Sequence, residues 1–395
     1  MTAGPLSGVR IIDFTANMSG PLATMILGDQ GADVIKVEPP TGDIIRFIGT
    51  RNHDVSAYFA NLNRSKRSIA LDLTDRRSRP VLETLLDSAD VMIHNFRPGL
   101  DETFGLDAQT VRRDRPRLIY AAINGFGSAG PYGNQPAYDH VVQALSGMVA
   151  LQGLDSDQPS MVRHGIVDKT TGLSAAQAIT AALLQRATTG AGQQLEIQML
   201  NVATAFMWPD GMIANTVVGS EQAESTVAKS FRLTRTQDGH LAFILVTAAR
   251  MKRLAIGLGV EEADKLPDGG PVSAGASVMR EAARRFSSMS TASAVELLHS
   301  LDIPAAPVVA LDELVSHPQI QAGRHVDEFD HPVLGRIHQA NPAVRFGSER
   351  AGLLRPAPAI GQHSAEVMRE LGFSGADIDA LLQAGVLGGP HGEDS

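Results

Sequence analysis

The sequence predicts an α/β protein: a large Rossmann-like domain with a mostly parallel sheet, followed by a smaller α+β domain. Three observations carry that expectation. Short apolar runs alternate with helix-like segments through the first half of the chain, the pattern that parallel strands joined by crossover helices require. Beyond about residue 220 that alternation gives way to hairpin and loop signals. The 395 residues are also more than one core usually organises.

Taken in order, "VRIIDF" reads as a buried strand, "PLATMILGDQ" as a short helix closed by Gly31, and "ADVIKVE" as the next strand. "KRSIALDL" is a further strand, followed by a helix over "SRPVLETLLDSA" and a strand at "DVMIHNF". "RLIYAAI" then enters a glycine-rich loop in which Gly125, Gly127 and Gly130 spell G-x-G-x-x-G. As a dinucleotide fingerprint, that motif needs a helix opening at the third glycine, so that free N–H groups and the dipole face a pyrophosphate. Pro131, Gly133 and Pro136 follow instead, and no helical period resumes before Tyr138. The segment therefore reads as a glycine loop at a strand end, not a nicotinamide or flavin site.

A long helix begins near Asp168 in "DKTTGLSAAQAITAALLQRATTG", where Ser174, Gln177 and Gln185 make a thin polar stripe on an otherwise buried surface. "GAGQQLEIQML" supplies a turn and a strand. Further on, "FRLTRTQDGHLAFILV" reads as a hairpin with Asp238-Gly239 as its tight turn, and two helices surround "RRFSSMSTASAVELLHSL". The tail gives two short helices in "GQHSAEVMRELGFSGADIDALLQAGVLGG". The expected domains are thus 1–220, completed by 330–395, and 225–325.

Composition narrows the function. A net charge of −9 supplies no global basic field for nucleic acid. The absence of cysteine removes disulfides, thiolate catalysis and cysteine-ligated metals. Twelve histidines include no H-E-x-x-H, and "HVDEFDHPVLGRIH" lacks helical ligand spacing, so no metal site is expected. No apolar run approaches a membrane span, and "MTAGPLSGVR" lacks the pattern of a signal peptide. A cytoplasmic protein that binds no membrane is the expectation.

Two readings of Asp168 stay open on the residues alone. It can be an N-cap, accepting a hydrogen bond from a backbone N–H of the helix it precedes. It can equally be a carboxylate nucleophile, kept ionised by the helix N-terminus and able to attack an activated acyl group.

The ordered segments "PLSGVRIIDFT", "ILGDQGADVIKVEPPTGDIIR", "NRSKRSIALDL", "DVMIHNFRPG", "RLIYAAINGFGSAGPY" and "TGAGQQLEIQML", with "LDIPAAPVVALDELVSHPQ" and "GQHSAEVMRELG", resemble the family III CoA-transferases. Formyl-CoA:oxalate and carnitine CoA-transferases belong to that family, and α-methylacyl-CoA racemase is a close relative. The resemblance implies an interlocked homodimer whose substrates are an acyl-CoA and a carboxylic acid acceptor, with no permanently bound cofactor. It implies that Asp168 attacks the thioester and carries CoA as a covalent aspartyl thioester. It further implies that Lys66, Arg67, Arg97 and Arg46 meet the CoA, and that Asn17, Met18, Gly125, Gly127, Tyr138 and Asp139 surround the acyl end.

Some positions depart from the family. Pro39 replaces an arginine of many relatives, and Met18 stands where formyl-CoA transferase has glutamine, which argues for a less polar substrate. Its glycine-rich lid has no clear counterpart here, although Gly269 and Gly270 lie in a loop of the second domain. The racemases place a histidine where this chain has Tyr138, with His140 two positions late. Tyr before Asp139 is the transferase-like pattern and favours transfer; the alternatives are a 2-methylacyl-CoA racemase or epimerase, and a non-catalytic CoA-binding paralogue.

Overall fold

The computed structural model describes residues 4–154, 158–219, 231–261, 263, 275–347 and 355–389. The expected Gly269 and Gly270 lie outside them. The chain divides into two compact units, residues 1–209 with 324–395, and residues 210–323.

The larger unit is built on a seven-stranded sheet. Its strands are β1 (Arg10–Phe14), β2 (Asp33–Glu38), β5 (Lys66–Leu71), β6 (Val91–His94), β7 (Ile119–Asn124), β8 (Gln194–Gln198) and β14 (Leu387–Gly388). The short β3 (Arg51–Asn52) and β4 (Val55–Ser56) pair separately. The order across the sheet is β14-β5-β2-β1-β6-β7-β8, all parallel except the β14 edge. From β1 the chain winds outward through β2 and β5, then returns to begin again at β6. The gap between the C-terminal ends of β1 and β6 is thus the point where the winding reverses, and ligands collect at such crevices.

Strand periodicity explains why both faces are covered. Ile11, Val34, Val91, Ile93, Ile119 and Ile123 point to one side, against the helices Ser19–Asp29 and Ile166–Thr189. The alternate residues Ile12, Phe14, Ile35, Ile69, Met92 and Tyr120 point to the other. There they meet the helices Arg79–Asp87, Ser364–Glu370 and Gly375–Gln383. A sheet buried on both faces needs near-continuous apolar runs, which is what these strands have. The tail completes this unit: Leu387 pairs with Leu71, and β12 (Val326–His331) pairs with β13 (Gly335–Ala340) just before it.

Buried charge interrupts the apolar pattern on the β2–β5 side. Asp13, Lys36, Lys66 and Arg46 are all fully buried, with Glu38 and Asp43 nearly so. Lys66 Nζ donates to Asp13 Oδ2 at 3.0 Å, Lys36 Nζ to Asp43 Oδ2 at 3.1 Å, and Arg46 Nη2 to Glu38 Oε1 at 2.6 Å. Three cations thus face three carboxylates, and each charge has the partner that burial demands. The network also fixes the loop after β1. Lys36 donates to the Thr15 carbonyl at 2.6 Å, Asp13 Oδ1 accepts the Thr15 N–H at 2.9 Å, and Asp43 accepts the Asn17 N–H.

The smaller unit has an antiparallel sheet of β9 (Thr234–Arg235), β10 (His240–Phe243) and β11 (Ala305–Pro307). Its core gathers Leu241, Met251, Leu254, Phe286 and Leu298. The hairpin differs from the expected two-residue turn: four residues, Thr236 to Gly239, separate the paired positions Arg235 and His240. Asp238 is the physical reason. Its Oδ1 accepts from the N–H and hydroxyl of Thr291, at 2.7 and 2.6 Å, and caps the neighbouring helix instead of closing a tight turn.

Candidate active site

The loops after β1, β6 and β7 enclose a cleft of about 250 Å³. It is lined by Asn17 from the first loop and Ser19 at the start of the helix that follows, by Asn95, Phe96 and Arg97 from the second loop, and by Gly125 to Gly127 from the third. Tyr138, Asp168 and Met199 complete the wall. The cleft therefore lies at the reversal of the winding order, where the topology alone would place a ligand. Asn95 ties two of its loops together, accepting from the Ala16 N–H at 2.9 Å and donating to the Ala16 carbonyl at 2.8 Å.

Asp168 is not the N-cap. Gly165 holds that position of the helix Ile166–Thr189, and Asp168 stands in its first turn with its carboxyl on the cleft. Its main-chain N–H donates to Asp139 Oδ2 at 2.9 Å. Burial pushes the Asp168 carboxyl up to about 6, the like charge of Asp139 adds to the rise, and a Ser19 hydrogen bond and the charge of His140 oppose it. The helix N-terminus does not keep this group at an ordinary carboxylate value, because desolvation and Asp139 outweigh it. At neutral pH it is still mostly ionised, and more basic than an exposed aspartate.

The glycine loop follows β7, and the next helix opens only at Asp139, so the dinucleotide arrangement is absent here. Gly125 is required by close approach: a Cβ there would lie 2.1 Å from the Ala137 Cβ. Gly127 has φ of +74°, and its N–H is already given to Asn124 Oδ1 at 2.6 Å. Gly125→Ala is expected to force apart the Ile123–Gly127 and Gln135–Tyr138 walls. The expected cost is about 1–3 kcal/mol of stability together with a raised KM for the acyl-CoA. Denaturant unfolding and initial rates check this.

The other sequence-predicted residues divide sharply. Arg97 and Tyr138 are exposed and line the cleft, and Arg97 is the cation among its lining residues. Asn17 lines it too, in the left-handed region at φ +69°, a conformation asparagine tolerates better than most residues. Met18 packs beside the turn before Asp168, where a Cβ on Gly165 would meet its sulfur at 2.7 Å. Asp139 is 4% exposed, with both oxygens engaged by the protein. Its partners are the Asp168 main chain and the Gln143 amide.

Lys66, Arg67 and Arg46, expected to meet the CoA, have their cationic groups engaged by the protein itself. Lys66 opens β5, and its ammonium is shared among Asp13, Asn63 and the Pro21 carbonyl. Arg46 spends its guanidinium on Glu38 and the carbonyls of Asp54 and Pro358, stacked 3.6 Å from the centroid of the Phe59 ring. Arg67 is held by Asp33, Glu366 and Glu370 at the N-terminal ends of the strands, away from the cleft. No group of three or more metal-ligating side chains occurs among the described residues.

Sequence reasoning missed Ser19, Asn95, Gln143 and Tyr58. Burial and the charges of Asp168, Asp139 and Asp43 raise the Tyr58 phenol, which places it beside the site. Nothing in "SAYFANLN" signals that role, since Tyr58 reads equally as a packing residue.

A family model described as CoA-transferase family III matches residues 6–364. The chain belongs to that family. This CoA-transferase is 31% identical to human succinyl-CoA:glutarate CoA-transferase, over 97% of this chain and 90% of the relative. It is 28% identical to an Escherichia coli formyl-CoA:oxalate CoA-transferase, over 96% of this chain and 98% of the relative. Among solved structures, Rv3272 of Mycobacterium tuberculosis matches with a TM-score of 0.79 at 30% identity, covering 92% of this chain and 99% of the other. A CaiB/BaiF family protein from Brucella suis matches with a TM-score of 0.79 at 28% identity, covering 94% of this chain and 100% of the other. The CoA-transferase thus has an acyl-CoA thioester and a carboxylic acid as its substrates. Among the described residues no helix is long and apolar enough to cross a membrane.

Proposed function

We propose that the protein moves CoA from an acyl-CoA to a carboxylic acid through covalent intermediates on Asp168. The observation that carries this reading is the Asp168 carboxyl itself, placed on the cleft at the switch point and raised to about 6. An ionised Asp168 oxygen attacks the thioester carbonyl, forming an aspartyl–acyl anhydride and releasing CoA thiolate. The thiolate attacks the aspartyl carbonyl, giving an aspartyl-CoA thioester and freeing the donor acid with one former Asp168 oxygen. The acceptor carboxylate then attacks that thioester, and the returning thiolate takes the new acyl group. Asp168 is regenerated carrying one oxygen from the acceptor.

The surroundings fit these steps. Ser19 favours the ionised Asp168 carboxyl that the first step needs. Arg97 at the cleft edge suits a phosphate or an acceptor carboxylate. The similarity to succinyl-CoA:glutarate CoA-transferases makes dicarboxylic acids the first acceptors to try. A homodimer belongs to the same proposal. Leu173, Leu184, Phe206 and Trp208 lie exposed on the helices Ile166–Thr189 and Met199–Gly211, apolar surface that a second copy would cover.

His140 supports a second reading, α-proton exchange at a 2-methylacyl-CoA. It is exposed, yet its charge reaches Asp168. The test is chromatographic: incubate the enzyme with succinyl-CoA or another acyl-CoA and a panel of acids in deuterium oxide. New acyl-CoA species without α-deuterium support transfer; α-deuterium in recovered donor without any new thioester overturns it.

The pH profile supplies a further expectation. The nucleophile must be ionised, so kcat/KM rises with pH through about 6. Asp139→Asn removes the like charge while leaving a side-chain oxygen for the Asp168 N–H, so its rise lies at lower pH. Initial rates between pH 4.5 and 8 check both.

A further inference from the structure

We infer that Gln143 is a positioning residue for the transfer reaction: it locks the Asp139 carboxylate onto the main chain of Asp168 and so fixes where the nucleophilic carboxylate stands. This rests on the reading of Asp168 as nucleophile given above. Gln143 lies one turn beyond Asp139 on the helix Asp139–Leu145 and is 1% exposed. Its Nε2 donates to Asp139 Oδ1 at 2.5 Å and to the Val162 carbonyl at 3.2 Å, while its Oε1 accepts from the Val162 N–H at 3.1 Å. The amide orientation is thereby determined, since a flipped group would set an oxygen against two acceptors. Asp139 Oδ2, the other end of the clamped carboxylate, accepts the Asp168 N–H at 2.9 Å.

The clamp therefore joins three pieces of chain: the helix after the glycine loop, the segment Val162–His164, and the first turn of the helix carrying Asp168. A buried, fully satisfied polar group of this kind specifies one arrangement, and removing it leaves several groups unpartnered at once. Gln143 touches no substrate in this account. It acts through Asp139 on the placement of Asp168, and a displacement of about 1 Å at a nucleophile costs on the order of 100-fold in rate.

Gln143→Leu keeps the volume and removes the clamp. Gln143→Glu supplies a sharper signature. Two carboxylates at hydrogen-bond distance cannot both ionise, so the variant holds Asp139 only while the pair shares a proton. The titratable groups around the clamp are Asp139 and His140 on its own helix, His164 before the turn, Asp168 and Lys169 on the following helix, and Tyr58 with Asp43 beyond the carboxylates. On this substitution the His164 carbonyl loses the 3.5 Å bond from the Gln143 amide.

The experiment is rapid-quench measurement of the Asp168 adduct from an acyl-CoA, with steady-state rates at pH 6 and pH 8, on the full-length protein. For Gln143→Leu, adduct formation and kcat are expected to fall about 10- to 100-fold while KM for the acyl-CoA stays within about 3-fold. Gln143→Glu is expected to approach wild-type kcat at pH 6 and to lose it reversibly at pH 8, where the wild type gains. Wild-type adduct rates in both variants, or losses matching only the loss of folded protein with no reversal by pH in Gln143→Glu, overturn the inference. If Gln143→Leu does not fold, the pH ratio of Gln143→Glu decides. Absence of any adduct in the wild type would instead sink the nucleophile reading itself.

Discussion

Asp168→Asn is expected to lower CoA transfer by about 10⁴-fold or more while leaving the fold intact. The amide has nearly the shape of the carboxyl, and the Asp168 N–H that holds the turn to Asp139 is main chain and unaffected. What disappears is the oxygen nucleophile that the protein supplies to the proposed reaction. The same variant carries a stability signature. The folded-state value of Asp168 is raised from 3.8 to about 6, so between those values the native state binds the proton that the unfolded chain has released. Stability associated with this group is fully present below about 3.8 and is lost as pH rises through about 6. The ionised group thus costs the fold about 3 kcal/mol at neutral pH. Asparagine does not pass through that titration, so Asp168→Asn gains relative to wild type between pH 4 and pH 7. Thermal unfolding across this range checks the sign, and a variant whose deficit grows with pH would contradict it.

Lys66→Met is expected to destabilise the protein by about 3–5 kcal/mol with little change in KM for the acyl-CoA. Asp13 remains fully buried and loses its nearest cation. Asn63 Oδ1 loses its donor as well, and the Pro21 carbonyl keeps only the Thr24 hydroxyl among its side-chain donors. Methionine fills similar volume, so packing is nearly preserved and the effect is electrostatic. Burial already depresses the Lys66 ammonium to about 8, against the pull of Asp13, so little further loss of partners could be borne. Arg97→Met is the counterpart: an exposed cleft residue whose loss should leave stability within about 0.5 kcal/mol and raise KM. Denaturant unfolding and initial rates on both variants separate a lysine of the core from an arginine of the cleft. A raised KM in folded Lys66→Met would restore the CoA contact that its burial argues against.

Most of the parallel sheet was legible because its strands are short, apolar and separated by helix signals, and period-2 alternation sorts Ile11 from Ile12 without any structure. The glycine loop was legible through what fails to follow it. Charge was not. A lysine or arginine in "NRSKRS" reads as a surface or phosphate-binding group, because sequence does not show that Asp13, thirty residues before Asp43, meets Lys66 inside the sheet. Arg46 is hidden by the same cause, its partner Glu38 being apparent only once β2 and the following turn fold together. Asp168, singled out as the candidate nucleophile, does line the cleft, but the balance acting on it depends on Asp139 and on burial, neither visible in a helix start.

The most direct test is oxygen transfer into the proposed nucleophile. Wild-type enzyme is cycled with an acyl-CoA and an acceptor acid whose carboxylate carries ¹⁸O, then digested and weighed peptide by peptide. Covalent transfer through Asp168 predicts ¹⁸O in the Asp168 peptide alone, accumulating with turnover and absent without the acyl-CoA. New acyl-CoA formed at full rate with an unlabelled Asp168 peptide would contradict the account.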